Sequence, residues 1–303
     1  MSESKPIIRD TLMLQPGTLW QKITERTAHA LACGALQPIP TECELVEDSG
    51  IRFLVRILSN LARKDAAKKH QDKKTKEFNP FLPYEEDLFV ADISETHLCL
   101  LNKYNVVDSH ILIVTRSFEE QETWLTEPDF QAMWACMAEF AGLAFYNGGK
   151  IAGASQRHKH LQIVPLPLGD GLQTPIHEAI ASATFSDTVG RIPSFPFRHA
   201  IARFDPDLVK SPQEASKITR DCYHNLLAAV GLEVTGNRQS GAYNLLATRE
   251  WMLLVPRSRE DFQSISVNSL GFAGALLVRN QQQMQILKDS GPMTVLSTVA
   301  QPQ

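Results

Sequence analysis

Residues Gly153–Pro167 read GASQRHKHLQIVPLP. From His158 to Val164 this stretch has the pattern of a strand buried on one side. Side chains two apart share a face, so His158, His160 and Gln162 form a row with neighbours about 6–7 Å apart. Leu161 and Ile163 point the other way, into a core, on the same side as Lys159. Pro165 closes the strand. Just upstream, Gly153-Ala154-Ser155-Gln156 is a turn of small residues. Its N–H groups and the Ser155 hydroxyl are suited to facing a phosphate. Three chemistries fit the row. It is a plain polar face, an H-x-H metal site, or an imidazole nucleophile acting on phosphorus. A metal site needs further histidine or carboxylate ligands, and the neighbouring sequence shows no acidic cluster to supply them.

The flanking sequence predicts a mixed architecture. Phe130, Met133, Trp134, Met137, Phe140 and Ala141 recur at helical spacing. Thr126 with Asp129 caps the start of that helix, and Gly148-Gly149 is expected to end it. Upstream, Trp20–Leu31 reads as a helix, and Gly50 turns a hairpin between Leu45-Val46 and Ile51–Val55. Leu88–Ile93, His97–Leu101 and Ile111–Thr115 read as strands of a meander. Downstream, Ser211–Val230 is helical with Gly231 as its stop. Tyr243–Ala247 and Met252–Val255 flank a tight turn, and Leu276–Leu287 is expected to be a final, glutamine-rich helix. Prolines and glycines between Pro165 and Pro175 mark a boundary near residue 170. That gives two halves, 1–170 and 171–303, and an α+β fold class.

Composition bounds the function. The 303 residues are 43% apolar and 21% charged, which excludes a disordered or fibrous chain. Net charge is −4, so no basic field draws the protein to nucleic acid. The local exception is Arg63–Phe78, RKDAAKKHQDKKTKEF, with seven basic and three acidic residues. It reads as a solvated loop or as a basic flap that meets an anionic substrate. Cys33, Cys43, Cys99, Cys136 and Cys222 stand far apart with no C-x-x-C pair, as expected of free thiols in a reducing compartment. The polar start MSESKPIIRD and the shortness of every apolar run point to a soluble, cytoplasmic protein with no membrane partner.

H-x-H-x-Q after a small-residue turn resembles the transferase branch of the histidine-triad superfamily. More of the chain is similar to one branch, the diadenosine tetraphosphate phosphorylase (ATP adenylyltransferase) family. The stretches are Asn79-Pro80-Phe81, Leu100–Thr115, Asn147–Pro167, Ser194–Ala200 and Ala242–Ser258. The resemblance implies a histidine-triad-like antiparallel sheet with flanking helices in two imperfect halves. It implies reversible phosphorolysis of diadenosine tetraphosphate (Ap4A) to ATP and ADP through a covalent AMP–histidine intermediate.

By the same resemblance His160 is the nucleophile, and the His158 carbonyl holds the proton on its far nitrogen. Gln162 replaces the third histidine of the hydrolase branch. An amide transfers no protons, which suits a transferase whose acceptor, phosphate, arrives already ionised. Asn147 and Gly153–Gln156 are expected to cradle the α-phosphate, although position alone also makes Asn147 a helix C-cap. Lys64 maps loosely onto the family's upstream lysine, and Asn79 onto a nucleoside contact. Asn244 and Arg249 are expected to reach the polyphosphate or ribose, whereas Arg257 reads equally as a surface ion-pair residue. The implied ligands are diadenosine polyphosphates, ATP, ADP and phosphate. No cofactor is expected to bind tightly, and Mg2+ is expected to travel with the nucleotide. The alternatives are a hexose-1-phosphate nucleotidylyltransferase and a dinucleoside polyphosphate-binding protein without turnover. The first is disfavoured by Lys159, where that family usually has proline.

Overall fold

A computed structural model describes residues 11–58, 79–169 and 173–303. The basic stretch 63–78 with Lys64, and residues 170–172 at the expected boundary, lie outside the described residues.

Among the described residues the α-helices are α1 (Leu19–Cys33), α2 (Glu127–Glu139), α3 (His177–Ala181), α4 (Pro212–Ala229), α5 (Ser269–Phe272), α6 (Gln281–Ser290) and α7 (Pro292–Val299). The strands are β1 (Thr41–Asp48), β2 (Ile51–Leu58), β3 (Phe89–Asp92), β4 (His97–Leu101), β5 (Ile111–Thr115), β6 (Gly142–Gly148), β7 (His160–Pro165), β8 (Thr184–Ser186), β9 (Val189–Arg191), β10 (Ala200–Arg203), β11 (Tyr243–Ala247), β12 (Trp251–Pro256), β13 (Asp261–Phe262), β14 (Ile265–Ser266) and β15 (Ala275–Val278).

One antiparallel sheet of ten strands organises the chain, in the order β3-β4-β5-β7-β6-β11-β12-β10-β9-β8. The first five strands come from before residue 170 and the other five from after it, so both halves share one sheet. Alternation then sorts the strands' side chains between two cores. On one face Leu161, Ile163, Ala144 and Tyr146 pack with residues of α1, α2 and α4. On the other, Phe145, Val164, Leu246 and Leu253 pack with β2, β15, α6 and α7. Phe81, Leu98, Leu100, Leu112 and Val114 form a small third cluster. A second sheet, β1-β2-β15, pairs β15 parallel to β2 and belongs to the second core.

Two expected helices need correction. The helix from Phe130 does not run to Gly148-Gly149. It starts at the predicted capping box, Thr126 with Asp129, and ends at Glu139, where Phe140 is already extended with φ −153°. Gly142–Gly148 is instead a strand buried along its whole length. A strand covered on both faces shows no polar alternation, so its apolar run continues the helical pattern without a visible break. Gly142 marks the change: a Cβ there would lie 2.7 Å from Ile163 Cγ2 on the adjacent strand. Similarly, Leu276–Leu287 is not one helix. Leu276–Val278 belongs to β15, and α6 begins only after Asn280, whose side chain accepts from the Gln283 N–H at 2.9 Å. On α1, Trp20 is exposed and meets Phe140.

Candidate active site

The row predicted from the sequence sits on the sheet face opposite Leu161 and Ile163, between the second and third cores. His160 pairs across β5 with Val114, and Gln162 with Leu112. Phe81 packs against the rings of His158 and His160, with centroids at 5.6 and 5.3 Å. His158 lies just before β7, held by an isolated bridge to Glu120.

Two asparagines in tight turns set the histidine tautomers. Asn79 Oδ1 accepts the Phe81 N–H at 3.0 Å, which turns its Nδ2 toward His158 Nδ1 at 2.9 Å. Nδ1 is therefore an acceptor, and His158 Nε2–H donates to the Thr115 carbonyl at 2.8 Å. Likewise Asn102 Oδ1 accepts from the Tyr104 N–H, and its Nδ2 meets His110 Nδ1 at 3.1 Å. His110 Nε2–H then donates to Gln162 Oε1 at 3.0 Å. The Gln162 amide is thereby oriented with its NH2 left for a ligand. Both ring nitrogens of His158 are engaged, which removes it from metal ligation on the H-x-H row.

His160 is arranged differently. Its Nδ1 lies 2.8 Å from the His158 carbonyl, so Nδ1 carries the proton and Nε2 presents a lone pair. Burial pushes the imidazole down to about 4, opposed by the hydrogen bond to His158 and aided by the nearness of the His158 ring. The ring is thus neutral at pH 7, as a nucleophile must be. Burial also takes His110 down to about 4, so it stays a neutral donor to Gln162.

Lys159, between the two histidines, points to the helical face and is fully buried. Its Nζ contacts Asp129 Oδ2 at 2.7 Å, the Trp124 carbonyl at 3.0 Å and Glu119 Oε2 at 3.2 Å. Asp129 also meets His97 Nε2 at 3.1 Å. Burial alone would raise the Asp129 carboxyl, but Lys159 and His97 outweigh it and hold it well below the usual carboxylate range. The row is thus pinned from behind to the start of α2.

The glycine turn behaves in two parts. Gly153 has φ +90°, and a Cβ there would lie 2.9 Å from the Val267 carbonyl, so only glycine lets the turn approach that closely. The Gly153 and Ala154 N–H groups are already used, donating to Lys150 and Gly149 carbonyls at 2.9 and 3.1 Å. They cannot be the phosphate donors expected of them. Among the described residues no hydrogen bond uses the Ser155 or Gln156 N–H, and these two remain as the donors of the turn.

Asn147 is no helix cap; it lies buried on β6. Its Oδ1 accepts from Asn244 Nδ2 and from the Ser269 N–H and Oγ, at 3.0, 2.9 and 2.7 Å. Its Nδ2 engages no acceptor among the described residues. The other expected contact residues have protein partners of their own. Asn79 is half-buried and contacts His158 through one amide hydrogen and its own turn through Oδ1. Asn244 is wholly buried, donates also to the Ala152 carbonyl at 2.9 Å, and accepts from Arg257 Nη1 at 2.6 Å, so it supports the loop from beneath. Arg249 lies at the opposite end of the β11–β12 hairpin from Asn244, where its Nε donates to the Met137 carbonyl at the end of α2 at 2.7 Å. Arg257 is not a surface residue. Its buried guanidinium also donates to the carbonyls of Val267, Arg259, Glu260 and Val299, and burial brings it down to about 10.

Local sequence pattern does not reveal Thr115, Gln121, Ser269 or the tie from His110 to Gln162. Each acts through a partner at least 39 residues away. Nothing in a local pattern reports such pairings. Among the described residues, the compact metal-capable group is His29, Cys33 and Asp87, on the exposed surface and apart from the row.

A neutral buried imidazole with one free nitrogen, beside an amide that cannot transfer protons, on a large antiparallel sheet, is an arrangement suited to nucleotidyl transfer. Residues 9–182 match the Ap4A phosphorylase N-terminal domain and residues 193–302 the ATP adenylyltransferase C-terminal domain. The chain belongs to the Ap4A phosphorylase family. It is 27% identical over 301 residues to diadenosine 5',5'''-P1,P4-tetraphosphate phosphorylase 2 of Saccharomyces cerevisiae, covering 89% of this chain and 90% of that protein. It is 26% identical to Protein APA1 of the same yeast, covering 88% of each. The crystal structure of yeast Ap4A phosphorylase Apa2 in complex with Ap4A superposes with a TM-score of 0.79 at 22% identity, over 96% of this chain and 99% of that one. The AMP complex gives 0.77 at 23% identity, over 96% and 99%. No helix among the described residues is long and apolar enough to cross a membrane.

Proposed function

We propose that this enzyme cleaves Ap4A with phosphate through an AMP–His160 intermediate. The observation that carries the reading is the 2.8 Å bond from His160 Nδ1 to the His158 carbonyl, which leaves Nε2 unpaired on a neutral ring. Nε2 attacks the α-phosphorus. An N–P bond forms, the P–O bond to the leaving triphosphate breaks, and ATP departs. The ring now bears a positive charge, and its Nδ1–H stays on the His158 carbonyl. A phosphate oxygen then attacks the same phosphorus, the N–P bond breaks, and ADP leaves with the imidazole restored. The NH2 of Gln162, the Nδ2 of Asn147 and the N–H groups of Ser155 and Gln156 are the donors for the charge that builds on the phosphoryl oxygens. Mg2+ bound to the polyphosphate would supply charge neutralisation there, and Lys64 is the residue that the family resemblance assigns to the substrate. The cytoplasmic setting expected from the isolated cysteines remains part of this reading.

Incubation with Ap4A without phosphate, followed by acid-free intact-mass measurement, should show an AMP adduct on the wild type and none on His160→Gly. Turnover of His160→Gly should fall at least about 10³-fold, since no other group makes the N–P bond. A variant that retained a tenth of the rate would remove His160 from this role.

A further inference from the structure

The ladder between β6 and β7 runs from Gly142↔Pro165 to Phe145↔Gln162 and stops there. Two residues further on, the register would pair Asn147 with His160. The outer ladders do not stop: β6 stays paired with β11 to Gly148↔Tyr243, and β7 with β5 to Val114↔His160. The sheet is therefore forked at the one point where the nucleophile and Asn147 face each other.

The fork is filled by a side chain. Gln121 Oε1 accepts the His160 N–H at 2.9 Å, and Gln121 Nε2 donates to the carbonyls of Asn147 at 3.0 Å and His160 at 3.2 Å. The amide stands in for a peptide group, with one acceptor and two donors matched to the backbone groups that the ladder would otherwise have joined. Gln121 is itself fixed. It is buried, its N–H donates to the Arg157 carbonyl at 2.6 Å, and its carbonyl accepts from the Tyr146 hydroxyl.

We propose that Gln121 is a positioning residue: a wedge whose amide sets the gap between His160 and Asn147 so that a phosphoryl group fits between them. The inference rests on the role given to His160 above. The fork without its wedge has two outcomes, a closed ladder or unpaired strands. Either one displaces the nucleophile, and a shift of about 1 Å can cost about 10²-fold in rate.

Gln121→Met keeps the length and removes the polar atoms. Gln121→Glu keeps the shape and the acceptor, and has a donor only while its buried carboxyl is protonated. Steady-state turnover and single-turnover adduct formation should be measured for both, with melting temperature as the fold control. We expect kcat of Gln121→Met to fall about 30–100-fold with KM changed less than about 5-fold. Gln121→Glu should recover at least a tenfold share of that loss at low pH and lose it as pH rises through its carboxyl pKa, a limb absent from the wild type. A Gln121→Met enzyme with near-wild-type kcat, or a Gln121→Glu profile parallel to the wild type, would overturn the proposal. Lack of an adduct on the wild type would instead sink the covalent reading, and the turnover data would still judge the wedge.

Discussion

Gln162 is held by His110, and His110 by Asn102. This chain of donors fixes Gln162 Oε1 toward His110, so the amide NH2 is the end that meets the substrate in the proposed mechanism. A histidine at position 162 would bring an acid–base group to the phosphoryl oxygen and allow water to compete. Gln162→His is therefore expected to release AMP without phosphate at least about tenfold faster than the wild type, measured against ADP formed with phosphate. Equal AMP release by both proteins would show that the amide does not guard the intermediate. At this scale the sequence was informative where chemistry is local. Period-two spacing put His158, His160 and Gln162 on one face, and the structure places them there. It was uninformative for Asn244, whose residue type suits a ligand but whose buried side chain is taken by protein partners. Polar side chains advertise hydrogen-bonding capacity, and only the fold says which groups use it.

At the scale of elements, the start of β7 is anchored to the N-terminus of α2 by Lys159 and Asp129, both nearly inaccessible. Removing one partner of a buried pair leaves an uncompensated charge. Lys159→Ala should destabilise the protein by about 3–5 kcal/mol. Urea unfolding would measure this, and a loss under about 1 kcal/mol would mean that Asp129 finds other compensation. The meander β3-β4-β5, the hairpins β1-β2 and β11-β12, and helices α1, α2 and α4 were all legible from apolar periodicity and turn residues. The two misread helices share one cause. Gly142–Gly148 and Leu276–Val278 are short apolar runs in which a buried strand and a helix give the same signal. Only the packing of Gly142 against Ile163 and the Asn280 cap separate them.

For the whole molecule, the buried neutral histidines tie stability to pH. His110 and His160 sit at about 4 in the folded protein against 6.5 as the unperturbed value. Between these values the unfolded chain binds more protons, so stability rises with pH. Their contribution is complete above about pH 6.5 and is lost as pH falls toward 4. The unfolding free energy should thus drop between pH 6.5 and 5 with a slope of up to about 2.7 kcal/mol per pH unit, the limit for two protons. A flat profile over that window would show that these rings titrate normally in the folded state. The shared ten-stranded sheet has a further consequence for how the enzyme comes into being. Synthesis runs from the N-terminus, and the complete histidine row emerges more than a hundred residues before Ser269. Until Ser269, Asn244 and Arg257 arrive, the Asn147 side chain lacks its three hydrogen bonds and the glycine turn lacks its support. The nascent chain thus carries the proposed nucleophile well before the residues that hold the proposed phosphate cradle in place.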